Sequence, residues 1–395
     1  MFTAFCRCLG AWILVFAALV QPAHAQGFDT AATAAWVYDQ TTGTVLLKKN
    51  ADTPLPPASM SKLMTVYMAF EAVATGRLDP DQRLPVSEHA SSFGGSTMFL
   101  DTTDRVRVED LLRGVIVLSG NDASVVLAEA LSPDGTEAGF ARLMNAKAAE
   151  LGMTGSHFVN ASGWPAPGHV MSMHDLGILA DHLIRDFPTF YPLFSETEFV
   201  FDNRAPANTR NRNPILTLDI GADGLKTGHT SEAGYGLVGS AKQGDRRIIF
   251  VITGLDSEAQ RRDEAARIVS WAFGQYSLRE IGKAGTRLAE AEVWMGATPH
   301  VGLTLAQDLA ILVPVTAGDR IAAEVNYRSP VVAPVAAGQD IGELVIAREG
   351  MPELRVPLVA ESAVPEGGFI VHLQTALRVL IDRFVTGSPR SGEAA

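Results

Sequence analysis

Three short strings stand in one order along the chain: Ser59-Met60-Ser61-Lys62, Ser119-Gly120-Asn121 and Lys226-Thr227-Gly228. They supply a hydroxyl nucleophile, a lysine three residues on, a second hydroxyl near an amide, and a second lysine, which together suffice for acyl transfer. A lone Ser-x-x-Lys arises about once by chance in a chain of this length, so the ordered set carries the signal. The 32 basic residues divide into 25 Arg and 7 Lys, and two of the seven lysines fall inside these strings. Arginine does not give up its proton in proteins, so lysine at these positions has chemical meaning.

Serine needs a base to take its proton, and His89, His157, His169, His174, His182, His229 and His300 form no pattern that supplies one. Lys62 is the better candidate, on condition that desolvation or a second cation makes it neutral, because free lysine titrates near ~10.4. Lys226 is expected to be that cation. No metal or other cofactor is implied: the histidines lack the paired spacing of HExxH, and the only cysteines are Cys6 and Cys8.

Positioning these groups requires particular elements. Ala34 to Tyr38 and Thr44 to Lys48 flank Thr42-Gly43 as a hairpin. Past the proline-rich stretch 54–57, Met60, Leu63, Met64, Tyr67, Met68 and Phe70 recur at helical spacing, which puts Ser59 at a helix N-terminus and Lys62 on the same face. Val106 to Leu118 and Ala123 to Leu131 read as helices broken at Ser119-Gly120-Asn121. Two alternating runs, Gly234 to Ala241 and Arg247 to Gly254, surround the turn signal Gln243-Gly244-Asp245, with Lys226-Thr227-Gly228 on an edge strand before them and a helix from Glu258 to Phe273 after. Strands at both ends with helices between make an α+β domain.

Residues 1–25 carry one charge, Arg7, an apolar run from Ala11 to Val20 and the small-residue site Ala23-His24-Ala25, so they read as a signal peptide removed on export. Both cysteines leave with it. The mature domain is expected over 26–287. From 288 to 363 the texture changes to short β-like runs (Val293 to Met295, Leu309 to Val313, Ile321 to Tyr327, Ile341 to Ile346), a small all-β domain. In 364–395, Ile370, Leu373, Leu377, Leu380, Ile381 and Phe384 share one face of a helix expected from Gly367 to Val385. This reads as an amphipathic helix lying in a membrane surface, or as one packed on its own protein. A net charge of -12 with scattered basic residues argues against nucleic acid as a partner.

The motifs and their setting resemble the low-molecular-weight penicillin-binding proteins, specifically serine D-alanyl-D-alanine carboxypeptidases with an amphipathic C-terminal anchor. The resemblance extends to Gly95-Ser96-Thr97-Met98-Phe99, Asn211-Arg212-Asn213, Asp223 to Thr230 and Ala233-Gly234-Tyr235. It implies a β-lactamase-like transpeptidase domain, then a small β-sandwich and the anchor helix. It also implies an exported, periplasmic enzyme held peripherally on the inner membrane, acting on the D-Ala-D-Ala end of peptidoglycan pentapeptide stems and acylated by β-lactams. Carried over, Ser59 is the acylated nucleophile, Lys62 its base, and Ser119 the proton relay to departing D-alanine. Asn121 holds the substrate amide, and Lys226 sets the local field. The N–H groups of Ser59 and of His229, which follows Gly228, form the oxyanion hole. Thr227, with Arg212 or Arg261, recognises the terminal carboxylate. Where the family often has histidine or aspartate, this chain has Ser162 and Ala166, which bears on deacylation. A β-lactamase and a non-catalytic wall-binding protein are the competing readings.

Overall fold

The computed structural model describes residues 28–204, 208–317, 321–348 and 350–371, together with 373, 375 and 377. The expected signal peptide, both cysteines and the chain from 378 onward lie outside the described residues.

The chain opens with the hairpin of β1 (Ala34–Asp39) and β2 (Thr44–Lys49), followed by a 3₁₀ turn, Ala58–Ser61, that runs straight into α1 (Lys62–Ala74). A two-stranded ribbon of β3 (Arg83–Pro85) and β4 (Arg105–Arg107) brackets the short α2 (Glu88–Ser91). Then come α3 (Val108–Ile116), α4 (Asn121–Leu131), α5 (Glu137–Glu150) and α6 (Met173–Asp186). The chain returns to the hairpin through β5 (Ala222–Thr230), β6 (Gly234–Gln243) and β7 (Arg246–Leu255), and α7 (Glu258–Gln275) follows. The five strands form one antiparallel sheet in the order β2-β1-β7-β6-β5, so β5 is an edge strand, as its sequence suggests.

Both faces of this sheet are covered, and the sequence of β7 shows why. Ile248, Phe250 and Ile252 pack with Ala265, Ile268, Val269 and Ala272 of α7, whereas Ile249 and Val251 join the helical layer that holds Met64, Leu176 and Leu179. A strand buried on both faces becomes a continuous apolar run instead of an alternating one. Helix α1 lies at the centre of the helical layer, with every residue from Lys62 to Phe70 buried. Ser172 and Ser257 start α6 and α7 by accepting the amide N–H of Asp175 and Gln260, at 3.0 and 3.1 Å.

The second unit is all-β. It contains β8 (Tyr276–Gly282), β9 (Arg287–Trp294), β10 (His300–Leu305), β11 (Leu309–Pro314), β12 (Ala322–Tyr327), β13 (Val331–Val332), β14 (Asp340–Ala347) and β15 (Leu354–Ala360). A six-stranded sheet, β12-β14-β15-β10-β9-β13, and the pair β11-β8 enclose a separate core around Ala291, Leu303, Ile311, Ile346 and Leu358. The strands therefore begin at Tyr276, ahead of the residue-288 start expected from composition. Adjacent Arg279 and Glu280 mask the alternation of β8, and only pairing with β11 reveals it. The chain leaves this unit beside β9, where the Gly367 N–H donates to the Met295 carbonyl at 2.7 Å. It is helical from Phe369 over the described positions, with Phe369, Ile370, Leu373 and Leu377 exposed. Among the described residues no helix is long and apolar enough to cross a membrane.

Candidate active site

The three motifs converge where α1, the α3–α4 connection and β5 meet. Ser59 sits in the 3₁₀ turn ahead of α1, not in the α-helix itself. Ala58 at φ +50 and Ser119 at φ +62 occupy the left-handed region, a conformation that costs a non-glycine residue of order 1 kcal/mol or more and recurs at functional sites. Gly228 lets β5 run against the Ser59 turn: a Cβ there would stand 2.9 Å from the Pro57 carbonyl and 3.0 Å from Met60 Cγ.

Lys62 is fully buried, and its Nζ lies 2.9 Å from Ser59 Oγ, 2.7 Å from Asn121 Oδ1 and 2.6 Å from the Ser162 carbonyl. Burial lowers its pKa to about 7, with the Arg212 charge adding to the effect and Asp122 opposing it. Lys226, also buried, is held well below the ordinary lysine range first by desolvation and then by the charges of Lys62, Arg212 and Arg261. Its Nζ donates to Ser119 Oγ at 2.9 Å and to the Thr227 carbonyl at 3.1 Å, which links the second and third motifs directly.

Asn121 does not stand free for a ligand. Its Oδ1 accepts from Lys62, and its Nδ2 donates to the Gly94 carbonyl at 2.8 Å, which leaves one Nδ2 hydrogen for a substrate carbonyl. Arg212 is exposed and reaches Ser96 Oγ and Asn208 Oδ1. Arg261 is buried behind it, donates to the Arg212 carbonyl at 3.3 Å and lies over the Tyr235 ring. Tyr235 in turn stacks on the exposed His229, 3.9 Å between centroids. Thr227 is buried on β5 between Lys226 and Gly228 in the chain.

The contacts of three further residues, Asp122, Ser162 and His169, are visible only in the structure. Asp122 accepts the N–H groups of Met98, Leu100 and Ala123, so one buried carboxylate ties the 94–100 loop to α4. Ser162 acts through its backbone carbonyl, which side-chain chemistry does not announce. His169 is buried with Nε2 2.8 Å from Ser61 Oγ, a pairing across 108 residues that no local spacing encodes. A groove of about 350 Å³ opens beside the Ser59 turn, between Pro56–Ala58, Gly163–Val170, Thr230 and Glu232.

A buried lysine on a serine hydroxyl, set under a five-stranded sheet with a helical layer, defines an active-site-serine acyl-transfer enzyme of the penicillin-binding class. Residues 20–257 match Peptidase_S11, D-alanyl-D-alanine carboxypeptidase, and residues 276–366 match the penicillin-binding protein 5 C-terminal domain. The D-alanyl-D-alanine carboxypeptidase DacF of Bacillus subtilis is 32% identical over 88% of this chain and 89% of its own length. DacD of Salmonella typhimurium is 35% identical over 86% and 88%. Penicillin-binding protein 5 from Haemophilus influenzae superposes with a TM-score of 0.77 at 33% identity, covering 86% of this chain and 98% of that one. The chain belongs to the D-alanyl-D-alanine carboxypeptidase family of serine hydrolases.

Proposed function

We propose that this enzyme removes the terminal D-Ala of peptidoglycan pentapeptides through an ester on Ser59, with Lys62 as general base. The observation that carries this reading is the set of three contacts at Lys62 Nζ. In the neutral amine, the Asn121 and Ser162 oxygens take the two hydrogens, and the lone pair faces the Ser59 hydroxyl. As Ser59 attacks the penultimate carbonyl, its proton passes to Lys62. The oxyanion is met by the N–H groups of Ser59 and His229. Ser119, joined to Lys226, delivers a proton to the departing D-alanine nitrogen, and water then hydrolyses the ester.

Arg212 and Thr227 take the substrate carboxylate, whereas Arg261 acts through Arg212 by holding its backbone. The same attack on a β-lactam opens the ring and leaves a seryl adduct. A Listeria monocytogenes penicillin-binding protein at 32% identity has been solved in its ampicillin-bound form. Export by residues 1–25, a periplasmic location and attachment to the inner membrane through the chain after Gly367 complete the proposal. The exposed Phe369, Ile370, Leu373 and Leu377 support the last point.

The test uses a defined pentapeptide and a labelled penicillin. The parent should release D-Ala and gain penicillin mass on the Ser59 peptide, and Ser59→Ala should do neither. D-Ala release that survives Ser59→Ala would refute the mechanism.

A further inference from the structure

The loop from Val159 to His169 is fastened to the start of α1 at three successive points. Thr65 Oγ1 donates to the Ala161 carbonyl at 2.6 Å, Lys62 meets the Ser162 carbonyl, and Ser61 Oγ meets His169 Nε2. Gly163 lies so close that a Cβ would overlap the Ala58 carbonyl at 1.9 Å. Asn160 Oδ1 gathers the N–H groups of Ser162, Gly163 and Trp164 and rounds off the turn that presents the Ser162 oxygen.

The tautomer of His169 follows from its partners. Its Nδ1 accepts the Val159 N–H at 3.2 Å, so the ring proton sits on Nε2 and is donated to Ser61 Oγ. The ring thus joins the first residue of the loop to the residue between nucleophile and base. The titratable groups facing it are Lys62, from α1, and His157; with burial, both favour the neutral ring. A proton on Nδ1 would point at the Val159 N–H and break the link.

We propose that His169 is a positioning residue: as a neutral Nε2–H imidazole joining Val159 to Ser61, it keeps the Ser162 carbonyl on Lys62 and the Lys62 lone pair on Ser59. Its two ring nitrogens are taken up by Val159 and Ser61, so neither meets Ser59, although the ring also lines the groove beside the Ser59 turn. The proposal rests on the acyl-transfer reading above and adds the means by which its base is oriented and kept dry.

Acylation by a fluorescent penicillin, followed by stopped flow across pH and normalised to the titre of Ser59 adduct, tests it. Loosening the loop admits water to Lys62, raises its pKa toward the ordinary value, and so moves the acid limb of the acylation profile to higher pH. Ser61→Ala, which removes the acceptor without opening a large void, and His169→Ala should each slow acylation about tenfold at neutral pH and shift that limb upward by about one unit. The double variant should be no worse than the poorer single one, because both remove the same link. A Ser61→Ala enzyme with the parent's acid limb overturns the proposal, even where His169→Ala does not fold. So does a variant in which only deacylation slows, since that assigns His169 to the hydrolytic water. Absence of any adduct on Ser59 in the parent would instead sink the underlying acyl-transfer reading.

Discussion

At the residue scale the site depends on proton affinity. Lys62 is useful only when neutral, and burial brings its pKa to about 7. Acylation of Ser59 should therefore rise with pH and reach half its plateau near neutrality. A profile flat from about pH 6 to 9 would remove Lys62 as the titrating base. Lys62→Met should slow acylation about 10²–10⁴-fold with the substrate carboxylate site intact. Arg212 is a different case: exposed and aimed at Ser96, it is the group proposed to meet the substrate carboxylate. Arg212→Ala should raise the pentapeptide KM about 10–100-fold and, by removing a charge that lowers the Lys62 pKa, move the acid limb of the kcat profile to higher pH. An unchanged KM would remove Arg212 from the carboxylate site. The serines and lysines were legible as chemistry because their types are rare at such spacing. Ser162 was not, because the working atom is a carbonyl that every residue owns.

At the scale of elements, the turn after β1 and the start of β7 are joined by a buried pair. Arg246 Nε donates to Asp39 Oδ2, and Asp39 also accepts the Thr42 N–H and hydroxyl, closing the hairpin turn. Arg246 further donates to the Tyr276 carbonyl at 2.9 Å, so one side chain secures hairpin, sheet and the entry to β8. Asp39→Ala leaves a buried guanidinium unpaired and should cost about 3–5 kcal/mol in urea unfolding. Acylation per active site should stay near the parent rate, since Asp39 touches none of the reacting groups. An unchanged midpoint would mean that the pair contributes nothing net. Helices α5 and α6, the β3–β4 ribbon, β10 and β15 were not singled out in the sequence, whereas α1, α3, α4, α7, the five strands of the main sheet and the runs at β11, β12 and β14 were readable from periodicity and turn residues. The 3₁₀ start before α1 and the strand β8 were not, because the first depends on β5 passing close to the Ser59 turn and the second on pairing with the distant β11.

For the whole molecule, the α+β domain and the β unit hold separate cores, and the chain leaves the second from beside β9 with apolar residues exposed. Deleting Gly367 to Ala395 should abolish flotation with lipid vesicles and leave D-Ala release from a soluble pentapeptide within about twofold of the parent. Release of the full chain by salt alone would show that charge, not the apolar face, holds it there. Flotation that survives the deletion would place the membrane contact elsewhere.

The sequence by itself determined the reaction class, because a serine and two lysines in ordered motifs admit few chemistries, and it determined the α+β order through periodicity. Only the tertiary structure decided which groups surround Lys62 and how burial and Arg212 bring its pKa near neutral. It also showed that Asn121 serves the lysine as well as any ligand, and that Arg261 stands behind Arg212. The reason is physical. Desolvation and hydrogen-bond partnership are properties of a place in space, assembled from segments as distant as Ser61 and His169, and no spacing along the chain encodes them.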